Sequence, residues 1–495
     1  MWNYYRITIN RMRIQIPDIW RKRPLLPYFI ILAPRIWRKR PLLPYFILLA
    51  PRIWRKRPLL PYFALLALFV ISFPRSSYAQ DSLSFGECIS IGLERNYSLK
   101  MVKNTEQMAR NDQKFGVMIM MPTLAATGTL NNSIIDSKQQ LFSGEVRERD
   151  NAKSNSLNAN IALNWTIFDG FGMFVQYRQL NEILDMGEMT TRLTLENLMA
   201  DIGTQYYLYL QHLKRLKTLK YVMNLSKERL RITEEKYRIG YQSKLDFQQA
   251  KVEYHTDSSL YLQEIQILEE ARLQLNRILA LDPDTLLVIE DTIVIEYGIL
   301  YEDLLQLTME NNTSLQIERK KQILSELDMK LINSKMYPVL RLNGGYNFTK
   351  SEAQAGVLLE NKQAGWNYGA TLSYPLFDRL DVHRQRKNAK LETENSRLGL
   401  ENLEQEVLTN LNEIYLAYQD GIKLVELEKQ NLNVAHDNLN IAMERFRLGN
   451  LSGIEMREIE RTYLDAEYRL LVAQYQAKLA EISLKQISGR IQEYL

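Results

Sequence analysis

The chain has 495 residues, 46% of them hydrophobic, and a formal net charge of +5. Fifteen of its 63 basic residues but only one acid, Asp18, precede Gln80, so the remaining chain, with the other 57 acids, carries a net charge of −9. The basicity belongs to the leader, which excludes nucleic acid as the partner of the body; the single cysteine, Cys88, excludes a disulfide framework or a cysteine metal site.

The leader repeats IWRKRPLLPYF three times, from Ile19, Ile36 and Ile53. In the first two copies the uncharged run is interrupted by proline and is too short to cross a bilayer core of ~30 Å. The third continues from Pro58 through ALLALFVISF to Pro74, and Ser77-Tyr78-Ala79 supplies small residues at both cleavage-site positions. This is the pattern of a secretory signal peptide cleaved near Ala79. An N-terminal anchor helix is the alternative.

The body is duplicated. FGECISIGLERNYSL (85–99) aligns with YEDLLQLTMENNTSL (301–315), and MPTLAATG (121–128) with YPVLRLNG (337–344). NWTIFDG (164–170) aligns with SYPLFDR (373–379), and RIGYQSKLDF (238–247) with RLGNLSGIEM (447–456). The chain thus divides into a leader (1–79), a first repeat (80–290) and a second repeat (291–495). Each repeat reads as helix, β-hairpin (122–168 and 338–377), long helix and return helix.

Within the hairpins the hydrophobic period changes to two. Leu157, Ile161, Leu163, Trp165 and Ile167 alternate with Asn158, Asn160, Asn164 and Thr166; Trp366, Tyr368, Ala370 and Leu372 alternate with Asn367, Gly369, Thr371 and Ser373. Four strands of ~10 residues, apolar on one face and aromatic near the ends, suit a transmembrane β-barrel. A soluble half-buried sheet shares the alternation. Between Phe171 and Gly240, and again between Leu380 and Gly449, no proline interrupts about 70 residues of helical sequence. At 1.5 Å per residue such helices span ~105 Å and must project into water. Return helices follow over 245–281 and 454–489; the second carries an Ala-rich heptad seam through Ile459, Tyr463, Ala466, Leu470, Ala473, Ala477, Ala480 and Leu484. Single helices are expected over 84–120 and 301–336, and a small β-prone girdle over 282–298.

Four strands cannot close a barrel, and open edges in lipid leave backbone groups unpaired, so strands in a membrane require an oligomer. In this duplicated order the body resembles the TolC family of outer-membrane efflux and secretion ducts. The residues that carry the resemblance are Pro122 and Pro338, Ile167-Phe168-Asp169-Gly170 and Leu376-Phe377-Asp378, and the turns Arg238-Ile239-Gly240 and Arg447-Leu448-Gly449. Arg379 departs from the family's glycine. The resemblance implies a mainly α fold with a 12-stranded transmembrane β-barrel closed by a homotrimer and continued by a coiled-coil tunnel. It also implies location in the outer membrane with a long periplasmic extension, contact with outer-membrane lipid, and partnership with a periplasmic adaptor (membrane fusion) protein and an inner-membrane pump. A tripartite efflux or type I secretion channel for small molecules or polypeptides is the function so implied. A secreted periplasmic coiled-coil adaptor or structural protein is the rival reading.

Gly240 and Gly449 sit where each long helix must reverse, with Ser243 and Ser452 placed to cap the next helix. The resemblance makes these turns, with Arg238 and Arg447, the adaptor-docking tips. Asp246 and Glu455 are either favourable charges in a first helical turn or, in three copies, a periplasmic gate paired with bases such as Arg238 and Arg447. Phe168-Asp169 and Phe377-Asp378 read as strand-to-helix junctions, with phenylalanine at the interface and aspartate as helix cap. Tyr206, Tyr207, Tyr209, Tyr415 and Tyr418 read as helix packing. The four histidines lack metal spacing and no nucleophile or phosphate-loop motif is present, so neither an enzyme nor a cofactor is expected.

Overall fold

The computed structural model describes residues 83–355 and 358–494. The leader repeats and the expected cleavage after Ala79 lie outside the described residues. The first repeat comprises α1 (Phe85–Arg95), α2 (Tyr97–Gly116), β1 (Thr123–Gln140), β2 (Val146–Phe168), α3 (Gly172–Arg238) and α4 (Lys244–Leu279). The second comprises α5 (Tyr301–Asn311), α6 (Thr313–Ser334), β3 (Val339–Ala353), β4 (Glu360–Ser373), α7 (Asp381–Arg447) and α8 (Gly453–Ile487).

Each single helix expected before a hairpin is broken once, at Asn96 and at Asn312, where the backbone leaves the helical region. Both asparagines do the same two things. Oδ1 accepts the amide of the residue three further on, Leu99 or Leu315, each at 3.1 Å. Nδ2 donates to the last turn of a return helix, Ile278 O at 3.0 Å or Ile487 O at 2.9 Å. Each asparagine therefore caps the second half-helix and ties it to the return helix. Alanine at either position should cost about 1–2 kcal/mol, visible as a lower unfolding temperature. Aspartate, which keeps the cap acceptor and loses the donor, should fall between.

The long helices α3 and α7 each have 67 residues, so each is ~100 Å long. Along the expected seam of α8, Ala466, Leu470, Ala473, Ala477, Ala480 and Leu484 are buried; small side chains there let α7 and α3 approach closely.

The girdle forms no strand. Residues 285–300 are extended without a ladder, and Leu287, Ile289, Ile293 and Ile295 point into the core. Tyrosines replace the neighbouring strand. The hydroxyls of Tyr209, Tyr418 and Tyr415 donate to the carbonyls of Leu287, Glu296 and Ile299, and Tyr206 donates to the Asp291 carboxylate at 3.0 Å. These tyrosines thus satisfy the polar groups of an extended segment that packs on helices, a task beyond the packing role expected of them.

The four strands form one antiparallel sheet in the order β1-β2-β3-β4. They have 18, 23, 15 and 14 residues, more than the expected ~10, because pairing continues from the apolar band into polar hairpin arms. In β2 the odd-numbered residues from Lys153 to Ile161 are exposed and the even-numbered ones half-buried. The apolar set Leu157, Ile161 and Leu163 therefore shares the exposed face with Trp366 and Tyr368 of β4, while Asn158 and Asn160 take the other face. β4 ends at Ser373, two residues before Pro375, which has no N–H to give a ladder.

Candidate functional site: helical tips and strand-to-helix junctions

Both tips are built alike. At the first, Gly240 has φ +78°, its amide donates to Tyr237 O at 3.0 Å, and the Tyr241 amide reaches Lys236 O at 2.8 Å. At the second, Gly449 has φ +82°, with bonds to Phe446 O at 3.1 Å and from Asn450 to Arg445 O at 2.9 Å. This paired bonding is the Schellman ending, which requires a left-handed residue. Ser243 and Ser452 then open α4 and α8 with complete capping boxes: Asp246 Oδ2 accepts from Ser243 N at 3.1 Å, and Glu455 Oε2 from Ser452 N at 3.0 Å. The backbone bond from Ser452 holds the Glu455 carboxyl below its usual range.

In this arrangement Asp246 and Glu455 do not pair with Arg238 and Arg447. Arg238 bonds Glu234 at 2.8 Å and Arg447 bonds Glu444 at 3.0 Å, each within its own helix. The spacing of i to i+3 or i+4 explains it: the acids on the same helix face are nearer than those across the turn. The two tips, 209 residues apart in sequence, are neighbours in space. Lys236 donates to Phe446 O at 3.2 Å and lies 5.2 Å from the Phe446 ring centre. Ile239 and Leu448, and likewise Leu245 and Ile454, occupy equivalent positions and are all exposed.

At the junctions the chain takes two successive left-handed residues in each repeat: Gly170 (φ +71°) with Phe171 (φ +69°), and Arg379 (φ +56°) with Leu380 (φ +62°). Phe168 meets Phe171 edge-on at 5.2 Å, whereas Phe377 lies beyond β4 and is exposed. Asp378 Oδ2 accepts the Val382 amide at 2.8 Å and so caps α7. Asp169 makes no such bond; α3 has no side-chain cap, and Asp169 Oδ1 is buried without a partner.

A buried ionic cluster escaped the sequence reading. About 14 Å from the first tip, counted along α3, Arg229 is 2% exposed and lies 2.7 Å from Glu253 of α4 and 3.1 Å from Glu460 of α8. Arg457 of α8 holds Asp257 of α4 through both carboxylate oxygens, at 2.8 and 2.9 Å, and stands 3.4 Å from Glu460. Burial pushes the Glu460 carboxyl up to about 6 and that of Glu467, further along α8, up to about 7. Duplication could not reveal the cluster, because the residues 209 positions from Arg229, Asp257 and Glu460 are Asn438, Ala466 and Lys251.

Among the described residues no helix is long and apolar enough to cross a membrane. Residues 304–490, nearly the whole second repeat, match the family model described as outer membrane efflux protein. The second repeat is thus similar to the outer membrane efflux proteins. Solved structures carry the same fold across both repeats. VceC of Vibrio cholerae is 14% identical, with 82% of this chain and 96% of VceC covered and a TM-score of 0.67. The CmeC outer membrane channel of Campylobacter jejuni is 16% identical, with 82% and 86% covered and a TM-score of 0.69. The open state of the MtrE outer membrane channel of Neisseria gonorrhoeae is 17% identical, with 83% and 90% covered and a TM-score of 0.63. No curated protein matches the chain. The described residues are mostly helical, with one four-stranded sheet that a single chain leaves open.

Proposed function

We propose that three copies of this chain close a 12-stranded barrel in the outer membrane, continue it as a helical duct into the periplasm, and export small molecules or polypeptides. A periplasmic adaptor and an inner-membrane pump complete the path in this reading. One observation supports it most: each contact made by the end of the first repeat with the second lacks its counterpart at the end of the second. β2 pairs with β3, but β4 does not pair with β1; α3 packs on α6 and α8, but α7 makes no comparable contact with α2 or α4.

The side chains show the same vacancy. On α6, Ile317, Leu324 and Leu331 are half-buried, while their α2 equivalents Met101, Met108 and Phe115 are exposed. On α3, Leu225 and Ile232 pack on the α7/α8 tip cluster, while their α7 equivalents Val434 and Ile441 are 61% and 60% exposed. A second copy offering α2, α4 and β1 would cover α7 and β4 as the second repeat covers α3 and β2. Such contacts propagate head to tail and end only in a ring. The polar face of the sheet then lines the lumen and the apolar face meets lipid.

Exposed apolar pairs at the tips, Ile239 with Leu448 and Leu245 with Ile454, support docking of helical partners there, with Arg238, Gly240, Ser243, Arg447, Gly449 and Ser452 shaping the surface. Asp246 and Glu455 remain gate candidates through three-fold proximity at the duct's end. Two substitutions separate assembly from docking. Met108→Glu places a charge in the proposed contact between copies and should convert trimer to monomer by native mass spectrometry. Ile239→Asp with Leu448→Asp should leave the trimer intact, weaken adaptor binding roughly tenfold per lost apolar anchor, and reduce export. Cysteines at Gln242 and Asn450 should cross-link to the adaptor in cells. Monomers in the unmodified protein, or full export by the tip variant, would overturn the reading.

A further inference from the structure

The exposed face of the sheet is not evenly filled. Gly344 of β3 is registered between Leu163 of β2 and Tyr368 of β4, and the absent side chain leaves a notch between them. In the neighbouring row Tyr346 meets Trp366 edge-on at 5.1 Å. With Leu124 these residues line an apolar groove of about 610 Å³. Gly344 is not required by its backbone, since a Cβ there would meet only Asn367 O, at an ordinary 3.7 Å. The notch is therefore a property of shape rather than of folding.

From this notch the same face runs toward the hairpin loops through Phe348 and Ala364 to a cross-strand lysine pair, Lys350 and Lys362. Like charges directly opposite one another destabilise a sheet unless an anion lies between or beside them. Glu352 and Glu360 partly serve: Lys350 Nζ lies 2.6 Å from Glu352 and 3.7 Å from Glu360. Among the described residues Lys362 has no ion-pair partner, and Lys153 adds a third cation on the exposed face of β2, so three lysines stand against two carboxylates. Six residues separate Gly344 from Lys350, ~20 Å along the strand. With the usual tilt of a barrel strand this is ~15 Å of depth, one leaflet of the hydrocarbon core. The lysines lie at the end of the sheet remote from the helices, hence toward the outer leaflet.

We propose that the groove seats an acyl chain of a phosphorylated glycolipid of the outer leaflet, whose phosphate is held by Lys362 and Lys350. The proposal rests on the reading above that this face meets lipid. An acyl chain matches the groove because eight of the nine residues around it, all but Asn367, are aliphatic, aromatic or glycine. A phosphate matches the lysines because it supplies the anion that the cross-strand pair lacks, at the depth where a headgroup begins.

The test uses the whole trimer with Trp165→Phe, which leaves Trp366 as the tryptophan of the sheet, reconstituted in zwitterionic phospholipid bilayers. The probes are an acylated bisphosphoryl glucosamine disaccharide with brominated chains and a phosphatidylcholine with brominated chains, which quench tryptophan on contact. Trp366 should be quenched by the glycolipid at lower mole fraction than by the phosphatidylcholine. Lys362→Gln should weaken that preference about fivefold, and Gly344→Leu, which fills the notch, should remove it while the trimer is recovered in full. Equal quenching by both probes, unchanged in either variant, would overturn the glycolipid site and leave the membrane reading standing. Absence of quenching by both would overturn the membrane reading itself.

Discussion

Replacing Gly170 with alanine should prevent recovery of the folded assembly, whereas replacing Arg379 with glycine at the equivalent position should raise its stability by about 1 kcal/mol. Both residues are left-handed, with φ +71° and +56°, and a side chain in that region costs roughly 1–2 kcal/mol. Their surroundings differ. A Cβ on Gly170 would run into the Ser334 carbonyl oxygen at the end of α6 and approach Tyr337 Cβ to 2.8 Å. The backbone there cannot move without breaking the contact of α3 with α6. By the proposed symmetry Arg379 faces the end of α2 in the next copy, and in one chain it is exposed. Thermal unfolding of the purified protein, with the yield of folded product, measures both. A Gly170→Ala protein that assembles with an unchanged midpoint would refute the steric account.

Arg229→Ala should destabilise the tip region by about 3–5 kcal/mol, the usual cost of leaving buried carboxylates without their cation. Arg229 is nearly inaccessible, and its N–H groups are not well aimed at Glu253 or Glu460, so attraction of charges carries more than hydrogen bonding does. Adding Glu253→Gln and Glu460→Gln should recover most of the loss, because it removes the uncompensated charge rather than restoring a contact. The pH dependence has a definite sign. Glu460 and Glu467 have folded values raised to about 6 and about 7 from an ordinary 4.5. Their contribution is therefore fully present below about pH 4.5 and is lost as pH rises through 6 to 7. Glu467→Gln should stabilise the protein at pH 8 by an amount of order 1–3 kcal/mol and change little at pH 4.5. The Arg229→Ala deficit should likewise shrink on acidification. Hydrogen exchange of α4 and α8 tip amides at the two pH values reads both effects locally; a deficit independent of pH would count against the charge account.

Much of the architecture was legible because each element repeats a local rule. Two proline-free runs of about 70 residues became two helices of 67, and the period-two stripes became strands on the expected face. Glycine followed by serine and an acid became a Schellman ending followed by a capping box, twice. The breaks at Asn96 and Asn312 were written in RNYSL and NNTSL, where asparagine three residues before leucine is a helix-cap signal. The β-prone girdle expected over 282–298 forms no ladder, since β-prone composition marks an extended segment with buried side chains and does not say whether a strand or a row of tyrosines satisfies its backbone.

The sequence by itself determined the duplicated order of helices and strands, the length of the two long helices and the chemistry of each turn, because periodicity, glycine conformation and capping act within a few residues. Only the tertiary structure decided that the two tips touch through Lys236 and Phe446, that Arg229 sits between Glu253 and Glu460, and that Gly344 opens a groove beside Trp366. Those facts depend on the register of helices and strands far apart in the chain. Register is set by the packing of whole faces, which no local rule encodes.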